Sequence, residues 1–217
     1  MLDAPRDFAA LRKTLTPLVK RGIKWVHIDV MDGKFVPRNT LKWQNAALVK
    51  KLEKTFPSLR VEVHLMVQNP AYFFRAFKTA GADLVYFHFE TCSSMPHALQ
   101  LAGKLKELGV DSGVAINPLT KVEQIKNIAQ AFDSVLVMSV QPGKGGQKFR
   151  TSALAKIRKL HSMDCHINVD GGMKAENITQ VRKAGANRAV IGTGIFHGNP
   201  LRNLQELKRQ LVNPKSL

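Results

Sequence analysis

The heptapeptide His27 to Gly33, HIDVMDG, sets an imidazole and a carboxylate two residues apart in a run of apolar and β-branched residues. Alternate side chains of an extended strand share a face, so His27, Asp29 and Met31 point together while Val26, Ile28 and Val30 face the other way. His64 ends VEVHLM and Asp170 ends INVDGG, each at the close of another strand-like run. A single polar residue at such a place is ordinarily satisfied by a nearby loop. His27, Asp29, His64 and Asp170 together make a different pattern, because two imidazoles and two carboxylates suit a divalent cation such as Zn2+, Mn2+, Fe2+ or Co2+. Such a cation polarises a ketone as a Lewis acid and stabilises the charge left when the neighbouring carbon loses a proton. Carboxylates on different strands also permit Asp29 to take a proton from one face and Asp170 to return one to the other, which inverts the centre. Asp32, immediately before a glycine, reads as turn chemistry instead.

Glycines cluster late in the chain: Gly143, Gly145 and Gly146 in QPGKGGQ, Gly171 and Gly172 in DGG, and Gly192 in IGTG. Backbone N–H groups in such turns bind an anion without a lysine, and α/β barrels often place a phosphate site after their seventh and eighth strands. Thr193 adds a hydroxyl, and Lys144 either sits above the anion or points into solvent. Met31, Met66, Met138 and His88 are candidates for the lining around the reacting carbon, against the default in which methionines fill the core.

These residues need strands to carry them. Short β-branched runs recur at 25–30, 60–66, 83–89, 112–117, 134–140, 165–170 and 188–192. Amphipathic segments fill the gaps, among them PAYFFRAFKTAG, MPHALQLAGKLKELG and TKVEQIKNIAQAF, several closed by the glycine that a helix C-terminus favours. An eighth strand is expected before a helix over Asp7 to Lys20. The repeat predicts one α/β domain over residues 1–217, a TIM (β/α)8 barrel, with a doubly wound open sheet as the alternative.

Lys and Arg number 33 against 16 Asp and Glu, a formal charge of +17. The basic residues lie at exposed-face spacing along helical segments such as KIRKLH and ELKRQL, with no basic tail, zinc-finger spacing or aromatic stacking motif, so a surface that steers a small anion is favoured over specific nucleic-acid recognition. No stretch approaches the ~20 apolar residues of a membrane span. No secretory leader is read at the N-terminus, and Cys92 and Cys165 form no CxxC pair, so a cytoplasmic protein with reduced cysteines is expected.

In this order HIDVMDGKFVP, VEVHLMV, YFHFE, VMSVQPGKGGQKF, INVDGG and VIGTGIF resemble the ribulose-phosphate 3-epimerase family, from about residue 7 to the C-terminus. The resemblance implies a TIM barrel with one divalent metal per subunit. It also implies interconversion of D-ribulose 5-phosphate and D-xylulose 5-phosphate, in the pentose phosphate pathway, through a 2,3-enediolate. On the matching motifs it implies His27, Asp29, His64 and Asp170 as ligands, Asp29 as proton acceptor, Asp170 as proton donor, and the PGKGGQ, DGG and GT segments as holders of the phosphate. Two departures stand out. Family members usually open with a strand close to PSILSADF whose Ser contacts substrate, whereas this chain opens MLDAPRDF with Pro5 about where that Ser would be, so the first strand is read as truncated. The family often has an aromatic residue between the glycines where this chain has Lys144. A truncated strand leaves ladder edges unpaired, and a homo-oligomer is expected. The alternatives are the same chemistry on a six-carbon ketose phosphate such as D-allulose 6-phosphate, and a non-catalytic basic binding protein on the same barrel.

Overall fold

The computed structural model describes residues 2–212. Seven strands, β1 (Trp25–Met31), β2 (Arg60–Met66), β3 (Leu84–His88), β4 (Asp111–Ile116), β5 (Ser134–Met138), β6 (Ile167–Asp170) and β7 (Arg188–Val190), pair in parallel in chain order. The helices are α1 (Phe8–Lys20), α2 (Ala46–Thr55), α3 (Ala71–Ala80), α4 (Met95–Glu107), α5 (Ala153–His161), α6 (Ile178–Lys183), α7 (Thr193–Phe196) and α8 (Pro200–Val212). This is the α/β barrel with one strand position open, between β1 and β7.

The eighth strand expected before α1 is not found among the described residues. Residues 2–7 form turns and bends. Pro5 has no N–H to give a ladder, and Asp7 is committed to α1, its Oδ2 accepting from the Ala10 N–H at 2.8 Å. The upper part of the outer edge of β1 is satisfied by a loop. Gln44 Oε1 accepts from the Asp29 N–H at 2.8 Å, and the Thr40 hydroxyl accepts from the Met31 N–H at 2.9 Å and donates to the Asp29 carbonyl at 2.7 Å. Side chains there do what a neighbouring strand does elsewhere.

A second expectation also fails. TKVEQIKNIAQAF is no α-helix but two 3-10 turns, Val122–Gln124 and Ala129–Ala131. Val122, Ile125 and Ile128 are buried at three-residue spacing, and Ile125, Ile128 and Ala131 each donate to the carbonyl three residues back. That spacing matches a 3-10 turn, at about 3.0 residues per turn, and puts all three on one side.

Both faces of the strands are buried. The outward set, including Val26, Ile28, Val30, Val61, Val63 and Leu65, packs against helix residues such as Leu11, Leu15, Val49, Leu52, Phe74 and Phe77. The inward apolar set is smaller, with Leu84, Tyr86, Ala115, Leu136 and Met138 filling the barrel interior. Gly113 on β4 makes room for Tyr86: a Cβ there would fall 2.1 Å from Tyr86 Cδ1. No helix among the described residues is long and apolar enough to cross a membrane.

Replacing Gly113 with alanine forces the fully buried Tyr86 ring out of place, and a loss of about 1–3 kcal/mol is expected from such overpacking. Denaturant unfolding measures it, and an unchanged midpoint would show that the interior yields more readily than its packing implies.

Candidate active site

Parallel pairing sets Asp29 opposite His64 and Met138 opposite Asp170, so inward residues of neighbouring strands stand at one level near the strands' C-terminal ends. There His27, Asp29, His64 and Asp170 each offer one donor atom, all within 4.8 Å of one another. His27 Nε2 lies 3.3 Å from Asp29 Oδ1 and 3.3 Å from His64 Nδ1, while His64 Nδ1 lies 3.4 Å from Asp29 Oδ1 and 3.9 Å from Asp170 Oδ2. Donors about 2.0–2.1 Å from a tetrahedral cation stand about 3.3–3.4 Å from one another. The spacing therefore fits a divalent metal, with the edge to Asp170 somewhat open.

Each histidine is held from behind. The far nitrogen of His27, Nδ1, lies 2.7 Å from Glu62 Oε1. His64 Nε2 lies 2.9 Å from His88 Nε2, and His88 Nδ1 lies 3.0 Å from Glu90 Oε2. Glu90 is fixed in turn by the Asn117 N–H, at 2.8 Å, and by the Thr120 hydroxyl. Burial holds His88 down to about 4, against the pull of Glu90, so its ring is neutral. A neutral His88 that donates from Nδ1 to Glu90 has only a lone pair on Nε2. It therefore accepts from His64 Nε2–H, and His64 Nδ1 is left as a lone pair facing the cluster.

Charge at the mouth is unevenly shared. Burial disfavours the His27 imidazolium, but the charges and hydrogen bonds of Asp29 and Glu62 outweigh it and push its pKa up to about 10. Burial also works against an ionised Asp29, yet the charge of His27 and the hydrogen bond from its ring hold the carboxyl well below the usual carboxylate range. Asp170 goes the other way: burial, with a contribution from the Asp29 charge, pushes it up to about 6. Burial pulls His64 down.

A cavity of about 390 Å3 opens from this cluster. Gly143, Lys144, Gly145, Gly146, Gly171, Gly172, Gly192 and Thr193 all line it, together with Met66 and Met138. Lys144 is exposed at its rim. Met31 and His88 do not line it. Met31 is sealed beneath Val36 and beside Met66, one pleat beyond Asp29, and His88 stands behind His64 with no exposed surface. Below the cluster the cavity runs between the open edges of β1 and β7 to Leu15, Leu18, Leu204 and Leu207. Asp32 is a turn residue: Oδ1 accepts from the Lys34 and Phe35 N–H groups and Oδ2 from the Gln68 N–H, tying two loops together.

The glycines divide into two kinds. Gly172, at φ +61°, has its missing Cβ 2.3 Å from the Phe149 nitrogen, so it lets the DGG turn pack on the PGKGGQ loop. Gly145 and Gly192 face an anion instead. The Asp3 carboxylate accepts from the Thr193 hydroxyl at 2.9 Å, and a Cβ at Gly192 or Gly145 would lie 2.7 or 2.8 Å from its oxygens. Asp3, Glu62, Glu90 and Arg188 were not among the residues singled out from the sequence. Glu62 and Arg188 could have been found as charged residues two positions from His64 and Val190 on the inward face of their strands.

A family model for the ribulose-phosphate 3-epimerase family matches residues 3–196. A ribulose-phosphate 3-epimerase of Bacillus subtilis is 40% identical over 197 residues, covering 88% of each chain, and one of Synechocystis is 37% identical over 197 residues, covering 88% of this chain and 84% of that one. Among solved structures, a tryptophan synthase α-subunit from Pyrococcus furiosus superposes with TM-score 0.69 at 19% identity, covering 94% of this chain and 93% of that one. A 3-keto-L-gulonate-6-phosphate decarboxylase from Vibrio cholerae gives 0.67 at 14% identity, covering 88% and 86%. At these identities the structures speak to the fold alone.

Because the donors converge only in the folded barrel, Zn2+ at about 100 times its Kd is expected to stabilise the protein by about 2.7 kcal/mol, a rise in Tm of roughly 5–10 °C. A chelator should reverse the rise and His64→Ala should abolish it. A Tm indifferent to both Zn2+ and chelator would contradict the donor set.

Proposed function

The chain belongs to the ribulose-phosphate 3-epimerase family, and from that premise we propose that it interconverts D-ribulose 5-phosphate and D-xylulose 5-phosphate by moving a proton at C3, with the assignments that follow. The observation that carries the mechanism is the meeting of Asp29, from β1, and Asp170, from β6, at 3.4 and 3.9 Å from the same His64 nitrogen. The two carboxylates are pushed in opposite directions, Asp29 well below the usual carboxylate range and Asp170 up to about 6. A base and an acid of one residue type are set apart in this way by environment.

Asp29 takes the C3 proton on one face of the sugar, and Asp170 supplies a proton to the other face of the flat 2,3-enediolate, which inverts C3. His27, Asp29, His64 and Asp170 would hold a divalent cation, which when bound would supply Lewis-acid stabilisation of the negative charge that develops as the proton leaves. Zn2+, Mn2+, Fe2+ and Co2+ all suit two nitrogens and two oxygens. His64, with its Nε2–H given to His88, has no proton on Nδ1 to compete with the ligand role. The reaction needs no organic cofactor and no nucleophilic side chain, because proton removal beside a polarised carbonyl is sufficient.

The phosphate is assigned to Gly145, Gly146, Gly192 and Thr193, because the Asp3 carboxylate already lies there against two bare backbones and a hydroxyl. The basic surface of a chain carrying +17 draws such a dianion in. The open edges of β1 and β7 favour self-association, and a homo-oligomer is part of this reading.

Asp29→Asn and Asp170→Asn are each expected to lower kcat by at least about 100-fold, the scale of one positioned acid or base, with circular dichroism unchanged. In D2O, deuterium should enter at C3 as the centre inverts. Near-normal turnover in either variant, or inversion with retention of the original hydrogen, would refute the two-carboxylate mechanism.

Asp3 and the substrate phosphate cannot share one cradle. Asp3→Ala is expected to lower KM for the sugar phosphate and to strengthen inhibition by inorganic phosphate, and Thr193→Val to weaken both. Unchanged phosphate inhibition in both variants would move the phosphate elsewhere.

A further inference from the structure

We propose that Glu62, braced by Arg188, is the positioning residue for His27: it holds the ring proton on Nδ1 and turns Nε2 toward Asp29 and His64. The proposal rests on the metal reading above and adds a residue to it. Glu62 is 1% exposed on the inward face of β2, where an isolated carboxylate is costly and needs partners on both oxygens. Each oxygen has a charged or polar neighbour, Oε1 a hydrogen bond and Oε2 an ion pair without hydrogen-bond geometry. Oε1 lies 2.7 Å from His27 Nδ1, whereas Oε2 lies 2.8 Å from Arg188 Nη2. A carboxylate present only to neutralise an arginine would favour the two-pronged pairing that arginine offers. Here one prong is given up, and the free oxygen goes to the histidine.

Arg188 is itself immobilised. Its guanidinium carbon lies 3.7 Å above the Trp25 ring, on the same face of β1 as His27, and the Asn168 amide, turned so that its oxygen faces the guanidinium, accepts from Nη2 at 2.6 Å. A chain of fixed groups therefore runs from Trp25 and Asn168 through Arg188 and Glu62 to the imidazole. With Nδ1–H given to Glu62, His27 has one orientation in which Nε2 faces the cluster, the counterpart of the way His88 and Glu90 hold His64. Glu62 acts through His27 and touches no reacting atom.

Zn2+ affinity, by competition with a chromophoric chelator, tests this on the whole protein. Glu62→Ala is expected to bind Zn2+ roughly 10- to 100-fold more weakly, the usual effect of removing a ligand's hydrogen-bond partner. Glu62→Gln, whose amide oxygen can still accept from Nδ1–H, should recover part of that loss. A folded Glu62→Ala protein that binds Zn2+ within about threefold of wild type, while His27→Ala binds poorly, would overturn the positioning role and leave the metal site standing. His27→Ala with undiminished affinity would overturn the site, and the proposal with it. The 15N-resolved imidazole signals of the Zn2+-loaded wild type decide independently of any variant: a proton on His27 Nδ1 supports the proposal, and one on Nε2 overturns it.

Discussion

The parallel register that puts Asp29 beside His64 governs the rest of the mouth. Neighbouring inward residues stand level when strands run the same way without a slip, and one residue of slip would send His64 to the helix side and Val63 or Leu65 into the cavity. Packing holds that register. The outward residues of β1 and β2 are all branched or long apolar side chains buried under helices, and neither strand can shift without exposing them. Stability of the outer layer and geometry of the inner one are thus the same constraint.

Bringing two carboxylates and two imidazoles out of water is costly, and the fold offsets the cost by giving each imidazole a directed partner. Glu62 stands directly behind His27, and Glu90 stands behind His64 through His88. These partners also decide where the lone pairs point. The same burial that raises Asp170 would raise Asp29, were Asp29 not beside the charge of His27 and accepting from its ring. One environment thereby shifts the two carboxylates in opposite directions, and the proposed mechanism uses that difference, with Asp29 as base and Asp170 as acid, to act on both faces of a planar carbon.

Much of this was legible in the sequence, and what was not has physical reasons. Seven β-branched runs match the seven strands because parallel strands covered on both sides read as continuous apolar runs. His27, Asp29, His64 and Asp170 stood out as polar interruptions at the ends of such runs. The segment at 120–132 reads as a helix because apolar residues three apart suit one face of an α-helix as well as a 3-10 turn, and periodicity alone does not separate them. Met31 shares a face with Asp29 but lies a pleat further out, where the loop carrying Val36 covers it. Glu62 and Arg188 passed unnoticed because such residues are seldom buried unless paired, and the partner of each lies on another strand. Asp3 is a contact between the start of the chain and residue 193, which no local pattern encodes.

The central claim is that four atoms, chosen by two hydrogen-bonded histidines and two strand-end carboxylates, make one cation site. A crystal structure of the Zn2+-loaded protein, with the ion located by its anomalous scattering, tests it most directly. A single Zn2+ is expected at His27 Nε2, His64 Nδ1 and one oxygen each of Asp29 and Asp170, with His27 Nδ1 still on Glu62 and His64 Nε2 still on His88. Zn2+ bound elsewhere, or held by His64 through Nε2 with the contact to His88 broken, would contradict it.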